Sequence, residues 1–312
     1  MTTLTALETS YRRQLRARGL SDATTDNYLR SLRALVAWLD TNGLPKEVEQ
    51  ITRHQLQDFV LDTADNTSAA TARFHLGNLR PFFGWLCSDE ERILPRDANS
   101  ATGVRCPKPK PVARPTFTGD QVAAFLRACR GSTFDDRRDT AIIRVFADTG
   151  VRISGLVGMR YTPDAGHNLE NPATDVSLDT NPPLVRFRLK GGKPHLVPVS
   201  AATVGAVDRY LRARASHPKA ANPALWIGRT GAISGPGVAK MLKKRAHQAG
   251  LEGVRVHTHR WRRTRATQLL DAGASAETVA ELLGWSDLSM VATYASESRQ
   301  RRAWNELRNL QL

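Results

Sequence analysis

At 312 residues the chain is long enough for two domains of ordinary size, and 41% hydrophobic residues suffice to build their cores. A formal net charge of +15 points to a polyanionic partner, nucleic acid ahead of an anionic membrane surface. No apolar run approaches the roughly 20 residues of a membrane span. The opening MTTLTALETS lacks a secretory signal pattern. Cys87, Cys106 and Cys129 are scattered, with neither a disulfide framework nor metal-ligand spacing. A reducing cytoplasm is the expected compartment.

The first hundred residues show helical periodicity. Leu4, Leu7, Tyr11 and Leu15 form one stripe, which Gly19 ends. Ser21 is a cap for the next, carried by Tyr28, Leu32, Leu35, Val36 and Leu39. A third helix is predicted after Thr52. A fourth spans about 68–85, where Pro81 should kink or interrupt it. The stretch RCPKPKPVARPTF then alternates proline with basic residues and fits neither helix nor central strand. It reads as an extended linker, a plain spacer or one that also tracks a phosphate backbone.

Beyond it, Thr118 and Gln121 make a capping-box pattern. RRDTAIIRVFADTG is a further amphipathic helix, closed by Gly150. The stretch from Tyr161 to Pro183 is aperiodic and reads as a loop. In PLVRFRLKGGKPHLVPVS the period changes to two, and Gly191 and Gly192 supply a turn. A β-hairpin with Lys190 and Lys193 at its tip is expected. Helices are expected from there to the end.

Four separated pieces carry the chemistry. Arg152 sits between apolar groups, an unusual place for arginine unless an anion reaches it. Arg262 shares a helical face with Ala266, Leu269 and Leu270, so it points inward, while Arg263 and Arg265 point elsewhere. His259 lies near that helix's N-terminus, which favours phosphate. Lys190 flanks a glycine turn, and Trp285 and Tyr294 follow Gly284. Taken singly, each has a plainer reading as a snorkelling, solvated or core residue. Together, two arginines, a lysine, a histidine and a tyrosine suit phosphoryl transfer, where charge develops on non-bridging oxygens.

The boxes TGVRISGLVGMR, LKGGKPHLVPV and HTHRWRRTRATQLLDAGASAETVAELLGWSDLSMVATY, in that order, resemble the tyrosine recombinase (phage integrase) family in its simple two-domain form. The resemblance implies a mainly α fold with a small β-hairpin or sheet. A helical core-type DNA-binding domain (1–105) and a basic proline-rich linker (106–116) would precede a mixed α/β catalytic domain (117–312) ending in a tail helix. It implies that Tyr294 attacks a phosphodiester to form a 3′-phosphotyrosyl link. Arg152 and Arg262 would hold the non-bridging oxygens, and His259 would assist proton transfer at the tyrosine. Lys190, or else Lys193, would protonate the leaving 5′-oxygen. Trp285 stands where most members have histidine, and its indole N–H can donate to phosphate but cannot shuttle a proton. No cofactor is implied, because the phosphotyrosine conserves the bond energy.

The implied partner is double-stranded DNA with a specific, inverted-repeat site, bound by a homotetramer that exchanges strands through a Holliday junction. An accessory directionality factor is compatible with this, and no membrane is involved. Trp304, Leu307 and Leu310 form a tail stripe expected to dock on a neighbouring protomer. One position departs from the family pattern. Gly155 stands where an acidic residue usually braces the site, with Asp148 as a candidate substitute. That departure keeps open a DNA-binding protein on a recombinase scaffold. A type IB topoisomerase-like relaxing enzyme is the other alternative.

Overall fold

The computed structural model describes residues 2–108, 115–189, 191–292, 294, 303–304 and 307–308. The chain divides into two compact units, Met1–Ala113 and Arg114–Leu312.

The first unit is helical: α1 (Glu8–Ala17), α2 (Asp22–Thr41), α3 (Arg53–Asn66) and α4 (Ala69–Leu86). The starts of the last three are set by local chemistry. The hydroxyls of Ser21, Thr52 and Ser68 each accept a backbone N–H three residues on, supplying partners that the first turn lacks. The core forms around Tyr11, whose ring meets Phe82 edge-on at 4.9 Å and Trp85 at 5.1 Å. Of the two outcomes expected at Pro81, a kink or an interruption, interruption does not occur: α4 runs through it. Proline removes one N–H from the ladder. Leu76, Leu79, Phe82, Phe83 and Leu86 are buried on both sides of it, and that packing outweighs the lost bond.

In the second unit, α5 (Gly119–Arg127) begins at the expected capping box of Thr118 and Gln121. Helix α6 (Phe134–Thr149) buries Ile142, Ile143, Val145 and Phe146. The short α7 (Ile153–Val157) follows, then the sheet, α8 (Ala201–Ala215), α9 (Gly235–Gln248), α10 (Thr258–Asp271) and α11 (Ala276–Leu283). Fully buried Trp261 of α10 packs among Phe117, Phe125 and Phe146 and so joins α10 to α5 and α6. Asp139 is buried and takes Arg138 and Arg245, each at 2.8 Å, tying α6 to α9.

The hairpin is present as β2 (Leu184–Arg188) and β3 (Pro194–Pro198), antiparallel, with Val185 opposite Val197 and Phe187 opposite His195. Two expectations need correction. The segment predicted as a loop contains β1 (Val176–Ser177), which pairs with β2. A second small hairpin, β4 (Ile227–Gly228) with β5 (Gly231–Ala232), interrupts the final run of helices. Two-residue strands are too short to show a period, and their signal lies in tertiary partners. Beside β1, fully buried Asp175 accepts from Arg186 at 2.6 Å and Arg188 at 2.9 Å. Residues 109–114 of the predicted linker lie outside the described residues.

Candidate active site

Helix α6 ends because Gly150 adopts a left-handed conformation, φ 58°. A Cβ there would lie 2.9 Å from Leu283 Cδ2 and 3.1 Å from Arg262 Cα. A residue without a side chain is therefore what lets the end of α6 meet both α10 and α11. Two residues on, Arg152 caps α7 and is half-buried. Among the described residues its side chain has no hydrogen-bond or ion-pair partner.

Arg262 is buried, 7% exposed, on the inward face of α10, as the heptad-like spacing predicts. Its Nη1 donates to the Gly150 carbonyl at 3.1 Å and its Nη2 to the Leu283 carbonyl. The guanidinium carbon sits 4.9 Å from the centroid of the Trp285 ring. Trp285 and Tyr294 stack, with centroids 5.8 Å apart and planes within 4°. Two of the five N–H donors of Arg262 are thus committed to carbonyls and one face to an indole, which fixes the fork. Burial, and then the charge of Arg152, push the Arg262 pKa down to about 10, while Tyr294 acts the other way. The side chain remains charged at neutral pH, and an anion at this point relieves the penalty.

His259 lies one turn before Arg262 and keeps an exposed surface. Partial burial of its ring, then the charges of Arg262 and Arg152, lower its pKa below the ordinary histidine value. A neutral imidazole at neutral pH is a competent proton acceptor. Arg263 and Arg265 are half-buried rather than fully solvated.

Lys190 lies outside the described residues. Its flanks are placed. Gly191 and Gly192 have φ of 87° and 82°, and Leu189 N–H donates to the Lys193 carbonyl at 2.9 Å. Lys193 is exposed. The hairpin is tethered beside Trp285 in two ways. His195 Nε2 donates to the Leu282 carbonyl at 3.1 Å. Gly284, φ 60°, leaves room for Leu189, whose Cδ2 would come within 2.8 Å of a Cβ there. Sequence reasoning did not find these anchors, because backbone carbonyls carry no residue signature. The glycines at 150 and 284 were its only trace.

Gly155 is buried, and a Cβ there would lie 3.0 Å from Val151 Cγ2 and 3.6 Å from Phe187 Cβ. Its own neighbours close the space that a larger side chain would need. Asp148, the candidate substitute, is engaged with α8. Its Oδ2 accepts from Ser200 N–H at 2.8 Å and Thr203 Oγ1 at 2.6 Å, and so holds the start of α8. Trp304 and Leu307 of the tail stripe are exposed, and Leu310 lies outside the described residues.

The candidate site combines buried Arg262, half-buried Arg152, His259 with its lowered pKa, and Tyr294 stacked on Trp285. Residues 115–301 match the phage integrase family, and residues 7–92 match the phage integrase N-terminal SAM-like domain. The tyrosine recombinase XerC of Xylella fastidiosa (strain M23) is 29% identical over 279 residues, covering 89% of this chain and 87% of that protein. The tyrosine recombinase XerD of Bifidobacterium longum (strain NCC 2705) is 29% identical over 294 residues, covering 90% and 89%. Among solved structures, the XerH site-specific recombinase on palindromic difH substrate, a post-cleavage complex, shares the fold with a TM-score of 0.72 at 17% identity, covering 96% and 83%. A lambda integrase dimer bound to a COC′ core site gives 0.68 at 17% identity, covering 94% and 77%. The chain belongs to the phage integrase family of tyrosine recombinases.

Proposed function

We propose that the chain cuts and rejoins double-stranded DNA at a specific, inverted-repeat site with Tyr294 as nucleophile. Tyr294 Oη attacks the scissile phosphorus and passes its proton to His259. The bond from phosphorus to the 5′-oxygen breaks, and that oxygen takes a proton from Lys190, with Lys193 as the other donor. A 3′-phosphotyrosyl link and a 5′-hydroxyl result. Attack on the link by a 5′-hydroxyl of another strand reverses the step and exchanges strands. Arg152 and Arg262 bind the non-bridging oxygens, where negative charge grows, and the Trp285 indole N–H adds a hydrogen bond.

The observation that carries this reading is the placement of Arg262. Carbonyls of Gly150 and Leu283 fix its fork, and Trp285 links it to the Tyr294 ring. A net charge of +15 fits a phosphate backbone as partner. Strand exchange in a homotetramer through a Holliday junction is part of the proposal. It is supported by likeness to a solved lambda integrase tetramer bound to a Holliday junction, TM-score 0.65. The first unit, matched to the SAM-like domain, serves as the core-type DNA-binding domain.

The test uses nicked suicide duplexes, which lose the short piece downstream of the cut and trap the adduct. Wild type should give a covalent protein–DNA band on a denaturing gel, and Tyr294→Phe should bind equally but give none. Protection of a site with no adduct from wild type would favour the binding-only reading motivated by Gly155.

A further inference from the structure

The second unit carries another basic concavity that none of the candidate active-site residues lines. A cavity of about 470 Å³ lies among the end of α5, α6 and α8, and Arg127, Arg130, Arg137, Arg144 and Arg209 line it. Leu126 and Ala206 give it an apolar portion. No carboxylate is in the lining. Among the described residues, none of the five guanidinium groups has a hydrogen-bond or ion-pair partner. The acids nearest in sequence are engaged elsewhere. Asp135 pairs with Arg138 at 2.8 Å, Asp139 with both Arg138 and Arg245, and Asp208, beside Arg209, with Arg212 at 2.9 Å, while Asp136, whose carboxylate lies against Gly131 of the lining, pairs with Arg245 at 2.9 Å. Like charges gathered on one cavity destabilise the folded chain by repulsion, and a polyanion relieves it.

The cavity is separate from the candidate active site. Arg137, Thr140 and Arg144 share one face of α6 by their spacing of three and four. Phe146, which stacks on Trp261 of α10 at 6.3 Å, lies about 180° to 200° round the helix from the two arginines. Helix α10 carries His259 and Arg262. The cavity therefore lies across α6 from the helix that supplies those groups.

We propose that this cavity is a second phosphate-binding site, taking a ligand that carries several phosphate groups. Arginine forks match phosphate oxygens bidentately. Five of them exceed what a single carboxylate requires. The volume falls within the roughly 300–1,000 Å³ of small-ligand pockets. A DNA duplex is too wide to enter, though a backbone phosphate can cover the mouth. A free nucleoside polyphosphate is of a size to enter it, with its sugar or base toward the apolar Leu126. Both sources share the same chemistry, and the experiment separates them.

Calorimetry on the full-length chain, with ATP and then inorganic tripolyphosphate, tests this. Saturable binding is expected. Arg137→Gln/Arg144→Gln and, independently, Arg127→Gln/Arg209→Gln should each weaken it by about tenfold or more. Thermal melts establish that the variants fold, and two separate pairs guard against one misfolding. Arg152→Gln should leave this binding unchanged. If ATP does not bind but both pairs weaken duplex affinity and reduce its salt slope by about two, the phosphates come from DNA. Anion binding that only Arg152→Gln removes would place the anion in the candidate active site and overturn the proposal. Indifference of both nucleotide and duplex to the cavity arginines would also overturn it. Adduct formation by Tyr294 is scored separately, so failure here leaves the proposed function untouched.

Discussion

The Arg262 guanidinium carbon lies over the Trp285 ring, 4.9 Å from its centroid, and the same ring stacks on Tyr294. One residue thus joins the proposed phosphate clamp to the proposed nucleophile. A lysine at 262 would keep the charge but lose the fork that reaches both Gly150 and Leu283. Arg262→Lys should slow adduct formation about 10²- to 10³-fold, the usual cost of one lost transition-state donor, with DNA affinity little changed. Single-turnover rates on nicked duplexes measure this. A rate within threefold of wild type would count against the clamp.

Gly150→Ala should injure stability and chemistry together. Its left-handed φ of 58° costs a residue with a Cβ about 1–2 kcal/mol. The new methyl would press on Leu283 Cδ2 at 2.9 Å and Arg262 Cα at 3.1 Å. A fall of several degrees in Tm is expected, with slower cleavage in the fraction that stays folded. An unchanged melting curve would mean that the three segments are not held as tightly as the contact implies.

The lowered pKa of His259 sets a direction for pH dependence. The unfolded chain, with histidine near its ordinary value of about 6.5, binds more protons than the folded one just below that pH. Stability from this group is therefore present above about pH 6.5 and declines as pH falls toward the folded pKa. As proton acceptor the ring must be neutral. Cleavage at limiting DNA, which reports the free protein, should rise along a limb centred below pH 6.5 and stay flat through neutrality. His259→Gln should remove the limb and lower the plateau about 10²- to 10⁴-fold. A limb centred above pH 7 in wild type would exclude this histidine as the acceptor.

Gly155→Glu, which restores the acidic type usual in the family pattern, should destabilise the protein. The first carbon of the side chain already meets Val151 Cγ2 at 3.0 Å. Combining it with Val151→Ala should recover part of the lost Tm, because the obstructing methyl is gone. Thermal melts of the two single variants and the double variant form the cycle. Additive losses would show that Val151 is not what closes the position.

Much of the fold was legible because its determinants are local. Side-chain caps at Ser21 and Thr118, the stop at Gly150 and the alternation in β2 act within a few residues of themselves. The inward turn of Arg262 follows from the same 3.6-residue period that buries Ala266 and Leu270. Motif order along the chain, read through the family resemblance, picked out the candidate site groups.

Tertiary structure decided what no local pattern encodes. Helix α4 runs through Pro81 because apolar neighbours on both sides are buried. Strand β1 exists because β2 lies beside it, where Asp175 holds Arg186 and Arg188. Asp148 caps the start of α8 through its Oδ2. The anchors of Arg262 are carbonyls of Gly150 and Leu283, contributed by segments far apart in sequence. Every residue carries such a carbonyl, so only the path of the chain determines which of them an arginine will meet.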